Sequence, residues 1–146
     1  MKTILLVALS VISSTAFANW TKMITRPQQT EYADLTSIRT DGLVRKVWQL
    51  TDLRASACVG ESCYRSFITQ TEINCKEEKS RTTYVVFHSG NMGEGEPVMR
   101  LVGADLGEEG QFSPLVPSTQ GYYEMKGVCG RALNTKGKSK QAKSLP

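Results

Sequence analysis

The chain has 146 residues, of which 22% are charged, a formal net charge of +4 and four cysteines. That length gives one domain with no room for a second sizeable core, and the composition excludes collagen-like, disordered and coiled-coil chains. The positive charge argues for a nucleic-acid partner only if it lies on the folded surface.

The first eighteen residues form an export signal. Lys2 supplies a short positive region, Ile4 to Ile12 an apolar one, and Ser13-Ser14-Thr15 a polar turn. Ala16-Phe17-Ala18 then places small residues at the positions that signal peptidase reads. The apolar run falls short of the roughly 20 residues needed to cross a hydrocarbon core, so residues 1–18 are expected to be cleaved. Asn19 rather than Cys follows the cleavage point, which disfavours a lipoprotein. The mature protein is expected in a periplasm, secreted or at the cell surface.

Short strands dominate the chain beyond the signal. Trp20 to Ile24 reads as a strand ended by Arg26-Pro27, and Thr30 to Asp34 as a second. Thr40-Asp41-Gly42 is a hairpin turn, because Asp-Gly tolerates positive φ. Leu43 to Leu53 is a longer strand with Val44, Trp48 and Leu50 on one face, interrupted by Lys46. From Tyr64 to Cys75 the alternation is clearer. Phe67, Thr69, Thr71, Ile73 and Cys75 share a face, opposite Gln70, Glu72 and Asn74. After the charged turn Lys76-Glu77-Glu78-Lys79, Arg81 to His88 is rich in β-branched and aromatic residues, and Pro97 to Val102 is a last short strand.

The cysteines Cys58, Cys63, Cys75 and Cys129 all lie in the mature chain. An even number in an exported protein reads as two disulfides with three possible connectivities. The tight, glycine-centred segment between Cys58 and Cys63 favours their pairing, which leaves Cys75 to pair with Cys129 across the domain. Zinc is disfavoured because His88 is the only histidine. Redox chemistry is disfavoured because four residues rather than two separate the close pair.

Gly103 to Pro117, with its glycines and prolines, reads as a loop. Ser118 is the expected cap of a helix running to about Val128, with Tyr122, Met125 and Cys129 on one face and Gly130 as a left-handed stop. Residues 131–146 place Lys136, Lys138, Lys140 and Lys143 among small polar residues and read as a disordered basic tail. The expected fold is α+β: an antiparallel meander of about six strands with one C-terminal helix packed on it and stapled by disulfides.

Several segments then align with a known pattern: Trp20, Tyr32-Ala33-Asp34-Leu35-Thr36-Ser37-Ile38, Arg39-Thr40-Asp41-Gly42 and Val47-Trp48-Gln49-Leu50-Thr51-Asp52. Tyr64-Arg65-Ser66, Asn74-Cys75, Ser89 to Val98 and Val128-Cys129 continue it. In this order and spacing the chain resembles the surface-adhesin protein E family of exported proteobacterial proteins. The resemblance implies an antiparallel sheet with a C-terminal helix, a disulfide between Cys75 and Cys129, possible homodimers, and binding to vitronectin, laminin or plasminogen. The pair Cys58 and Cys63 is an addition to the family pattern.

Other constellations read as structural. Gly90, Gly93 and Gly95 resemble a phosphate cradle, but a strand rather than a helix comes after them, which favours a hairpin or bulge. His88 and Ser89 are adjacent on a strand and point to opposite faces, a poor base and nucleophile. Glu94 and Glu96 read as solvated charges sharing a strand face, and Tyr122 of the Tyr122-Tyr123 pair as a core residue. No metal site, cofactor or catalytic residue is expected. Residues 131–146 carry five positive charges and no negative ones, whereas residues 19–130 hold 12 basic and 14 acidic side chains. The folded surface therefore gives no electrostatic case for nucleic acid. The expected function is an exported, non-enzymatic module that binds a protein partner, with the four tail lysines as the weak candidate contacts for ligand. The alternative is a periplasmic accessory protein that binds an envelope component and is never displayed on the surface.

Overall fold

The computed structural model describes residues 18–131. Most of the signal peptide and the four tail lysines, Lys136, Lys138, Lys140 and Lys143, lie outside the described residues. Strands β1 (Trp20–Thr25), β2 (Gln29–Asp41), β3 (Val44–Val59), β4 (Ser62–Asn74), β5 (Lys79–His88) and β6 (Pro97–Val102) pair in sequence order, each antiparallel to the next. A two-residue strand β7 (Ser113–Pro114) adds to β5 at Lys79 and Ser80, and helix α1 (Gln120–Cys129) ends the described chain. The result is an antiparallel α+β meander.

Two strands run well beyond their expected ends. β2 continues from Asp34 to Asp41 through an irregularity between Asp34 and Arg39. There the Asp34 carboxylate accepts bonds from the backbone N–H groups of Thr36 and Ser37, at 2.9 and 3.2 Å. Polar side chains thus satisfy backbone groups that a plain alternation would leave to the ladder. β3 continues from Leu53 to Val59 and pairs with β4 as far as Cys58 opposite Cys63 and Val59 opposite Ser62. The two-residue turn beyond it places Gly60 at φ +58°, a value at which a Cβ would be strained. β2 reaches only Leu53 of β3, and β5 ends opposite Ser66 of β4, so residues 54–65 project from the sheet as a two-stranded arm.

The sheet has two differently covered faces. On one, Ala33, Val47 and Ile73 meet Met125 and Val128 of α1 in the main core, with Met23, Leu35, Ile38, Leu115 and Tyr122 packed around it. Cys75 and Cys129, 54 residues apart, are bonded at the edge of this core, and Arg45 Nη1 donates to the Val128 carbonyl at 2.6 Å. In the chain-entropy account the long bridge contributes about 4 kcal/mol and the Cys58–Cys63 bridge about 2. On the other face Leu50 is fully buried, and the loop after β5 folds back over it and Ile68.

Other local expectations are corrected. Gly103 to Pro117 is not a plain loop: Gly103–Gly110 forms 3-10 turns around buried Leu106, and β7 comes next. The helix cap is Thr119, not Ser118. Ser118 sits at φ +68°, while the Thr119 hydroxyl donates to the Val116 carbonyl at 2.6 Å instead of capping the helix. Gly130 is right-handed (φ −74°, ψ −10°), since the helical turn continues with Gly130 N–H bonded to the Lys126 carbonyl at 2.9 Å. Glu94 and Glu96 lie in the loop between β5 and β6, not on a strand.

Candidate functional site

The glycine-rich segment 89–96 is a folded-back cover for the sheet. Asn91–Gly93 forms a 3-10 turn whose Met92 N–H donates to Asp52 Oδ1 at 2.7 Å. Gly93 N–H donates to Ser66 Oγ at 2.9 Å, and the Ser66 hydroxyl, fully buried, donates to the Gly90 carbonyl at 2.6 Å. Gly90 N–H goes to the Glu94 carbonyl and Glu96 N–H to Ser89 Oγ. These amides are already engaged, so they do not form an anion cradle. A Cβ on Gly93 would lie 2.8 Å from Ile68 Cδ1, which fixes glycine there by close approach as well as by φ. His88 Nδ1 lies 3.5 Å from the Gly95 carbonyl, so His88 and Ser89 each serve this loop rather than one another. Glu94 and Glu96 are exposed.

The helix face holds a polar cleft next to the core. Alternation along β2 and β3 brings Glu31 and Gln49 to the side that carries Ala33 and Val47, and α1 adds Gln120 and Glu124 from above. With Thr51 and Thr69 they line a cavity of about 300 Å³. That volume is at the small end of ligand-sized pockets. Gln49 Nε2 donates to Glu124 Oε2 at 2.8 Å and Gln120 Nε2 to Glu124 Oε1 at 2.8 Å. Thr71 Oγ1 donates to Gln49 Oε1 at 2.6 Å, which fixes the orientation of the amide, and Gln29 Nε2 bonds to Glu31. Glu31 is only 6% exposed and lines the same cleft as Glu124. Burial, and then the neighbouring Glu31, push the Glu124 carboxyl up to about 7, although the Gln49 and Gln120 bonds work in the other direction.

Beyond the cavity on the same face is an aromatic ledge at the root of the arm. Phe67 lies directly opposite Phe87, with ring centroids 5.4 Å apart, and the Tyr64 ring is 4.7 Å from Phe87. All three remain partly exposed. Cys58 and Cys63 are bonded farther out and hold the two strands of the arm together. Tyr122 packs on the core, while Tyr123 is 64% exposed.

Sequence reasoning missed Glu31 and Glu124. Nothing in their spacing joins residues so far apart in the chain. The available signal was Gln29 and Glu31 in the same alternating set as Ala33, polar side chains in the register of a core face. No group of three or more His, Cys, Asp or Glu side chains suited to a metal is found among the described residues. No helix among them is long and apolar enough to cross a membrane.

The fold has counterparts of known structure. Crystal form II of Haemophilus influenzae protein E aligns with a TM-score of 0.56 and 17% identity, covering 75% of this chain and 96% of that one. A second structure of Haemophilus influenzae protein E gives 0.54 and 18%, covering 77% and 94%. Protein E from non-typeable Haemophilus influenzae gives 0.53 and 18%, covering 77% and 84%. No curated protein matches the chain by sequence. The family described as Surface-adhesin protein E matches residues 20–130, which span all seven strands and the helix. The chain therefore belongs to the surface-adhesin protein E family.

Proposed function

We propose that this chain is an exported, non-enzymatic binding module that holds a protein partner, with host matrix proteins such as vitronectin and laminin, or plasminogen, as the ligands. The observation that carries this reading is the family match across the entire folded unit, residues 20–130. Residues 1–18 direct export and are removed, 19–130 form the module, and Lys136, Lys138, Lys140 and Lys143 add positive charge after it. The geometry agrees with such a role. Partly exposed Tyr64, Phe67 and Phe87 offer the residue type enriched at protein interfaces. The Cys58–Cys63 bond pre-orders the arm beside them and so reduces the entropy lost on binding.

Purified residues 19–146 should bind immobilised vitronectin, laminin or plasminogen saturably, and Tyr64→Ala should weaken that binding at unchanged thermal stability. Absence of saturable binding to all three ligands rejects this reading. A second reading rests on Asn19, which stands where a lipid-attached Cys would anchor the chain. It makes the protein a periplasmic accessory that binds an envelope component. Protease treatment of intact cells separates the two, because full protection favours the periplasm and cleavage favours display.

A further inference from the structure

The two disulfides have opposite settings. Cys75 and Cys129 are partly buried and packed against the core, where Met125 and Val128 hold α1 to the sheet. Cys58 and Cys63 are both exposed and stand directly opposite one another near the tip of the arm. Exchange requires an attacking thiolate to reach a disulfide sulfur, so access decides which bond reacts first.

The arm is set off from the rest of the sheet. Pairing of β3 with β4 stops at Asp52 opposite Ser66 and resumes at Ala57 opposite Tyr64, so residues 53–56 face Arg65 alone. Beyond this bulge the ladder consists of Ala57 with Tyr64, Cys58 with Cys63 and Val59 with Ser62. None of residues 54–65 is buried, so the arm supplies nothing to the core. A two-stranded hairpin without an apolar face to pack is marginal at best in water. The remaining contacts belong to its root. Arg65 Nη2 donates to the Arg54 carbonyl at 3.0 Å, Ser56 Oγ donates to the Tyr64 carbonyl at 3.3 Å, and the Tyr64 ring packs on Phe87. The tip therefore depends on the covalent bond far more than the root or the sheet does.

We propose that Cys58–Cys63 is a thiol-exchange site: a dithiol reductant opens this bond while Cys75–Cys129 stays closed, and opening unpairs residues 58–63 without unfolding the sheet. A thiolate of the reductant bonds to one cysteine sulfur and expels the other cysteine as a thiolate, which takes up a proton. The reductant's second thiol, once deprotonated, attacks the mixed disulfide and releases the remaining cysteine. Two electrons pass from the dithiol to the pair, two protons end on Cys58 and Cys63, and the dithiol leaves as a disulfide. The pair is the substrate of this exchange and not its catalyst, so it needs no C-x-x-C spacing. Core packing shields Cys75–Cys129 from the same attack and keeps its two sulfurs together. The order of the arm, beside the ledge of Tyr64, Phe67 and Phe87, thus follows the thiol–disulfide balance around the protein.

Graded dithiothreitol, added to the folded and disulfide-bonded chain of residues 19–146 and followed by alkylation and peptide mapping, tests the site. Cys58 and Cys63 should become labelled at roughly tenfold less dithiothreitol than Cys75 and Cys129. With that bond alone open, hydrogen–deuterium exchange over residues 58–63 should quicken roughly tenfold, while Val47, Ile73 and Val128 keep their protection. The double variant Cys58→Ser, Cys63→Ser should show the same exchange pattern without reductant. Opening of both bonds together, or of Cys75–Cys129 first, would overturn the proposal. So would unchanged exchange over residues 58–63 once their bond is open, or loss of protection across the sheet along with it.

Discussion

On one face of the sheet Glu72 lies between Lys46 Nζ at 3.0 Å and Arg81 Nη2 at 2.7 Å, whereas on the other Glu124 shares a cleft with Glu31 among glutamines and threonines. Burial alone would raise both carboxyls. At Glu72 the bonds and charges of Lys46 and Arg81 outweigh burial and hold the group below its ordinary value, while at Glu124 burial and Glu31 act together. The backbone setting is shared, since both faces belong to the same β3–β4 ladder. What differs is the sign of the neighbouring charge: the Glu72 contact is kept in base and lost in acid, and the Glu124 contact the reverse.

The same contrast distinguishes how the faces are closed. The helix face is closed by a long-range covalent bond across 54 residues, and the opposite face by a short loop that hangs on two side chains, Asp52 and Ser66. The first constraint acts largely on the unfolded chain, the second on buried polar groups in the folded one.

The largest effect should come from cutting the covalent closure. Cys75→Ser is expected to lower stability by about 4 kcal/mol, read as the shift in denaturant midpoint under non-reducing conditions. A loss no larger than that of an exposed Ser substitution would remove the asymmetry between the faces. Next is pH. The folded Glu124 carboxyl titrates near 7 against an ordinary 4.5, so folding holds its proton, and the stabilisation is complete below about 4.5 and lost as pH rises through 7. The cost at pH 8 is at most about 3 kcal/mol, and denaturant melts of the unaltered chain against Glu124→Gln should converge at low pH and diverge at high pH.

On the opposite face, Ser66→Ala strips the Gly90 carbonyl and the Gly93 N–H of their buried partner and should cost about 2 kcal/mol in thermal or chemical melts. It should also raise exchange at Met92 and Gly93 while leaving α1 untouched. The smallest effect is Glu72→Gln, about 1 kcal/mol, because Lys46 and Arg81 are 38% exposed and water screens them once the carboxylate is gone. Its pH signature is the reverse of that of Glu124. The Glu72 contribution is present above about 4.5 and lost as pH falls through the lowered value, so the variant and the parent should converge in acid.

The strand order, the Asp41-Gly42 turn and the inward set Phe67, Thr69, Thr71 and Ile73 were legible because alternation and turn chemistry are local. The segment 103–117 was not, since its 3-10 turns form around Leu106, whose burial is a tertiary event. Ser118 failed as a cap for a similar reason. The chain enters α1 from β7 and Leu115, and that path puts Ser118 at positive φ and Thr119 at the helix start. The extension of β3 to Val59 became visible only once β4 was there to pair with it, because Arg54, Ala55 and Ser56 carry no apolar alternation of their own.

By itself the sequence determined the order of the strands, the terminal helix, the even set of cysteines and the confinement of excess positive charge to residues 131–146. Those features depend on spacing, composition and short-range backbone preference, which are written locally. Only the tertiary structure decided that Glu31 and Glu124 share a cleft, that Ser66 and Asp52 hold the glycine-rich loop, and that Tyr64, Phe67 and Phe87 form one ledge. Each of these joins residues from different elements. Such contacts arise from the register of the sheet and the docking of α1, which no single stretch of chain specifies.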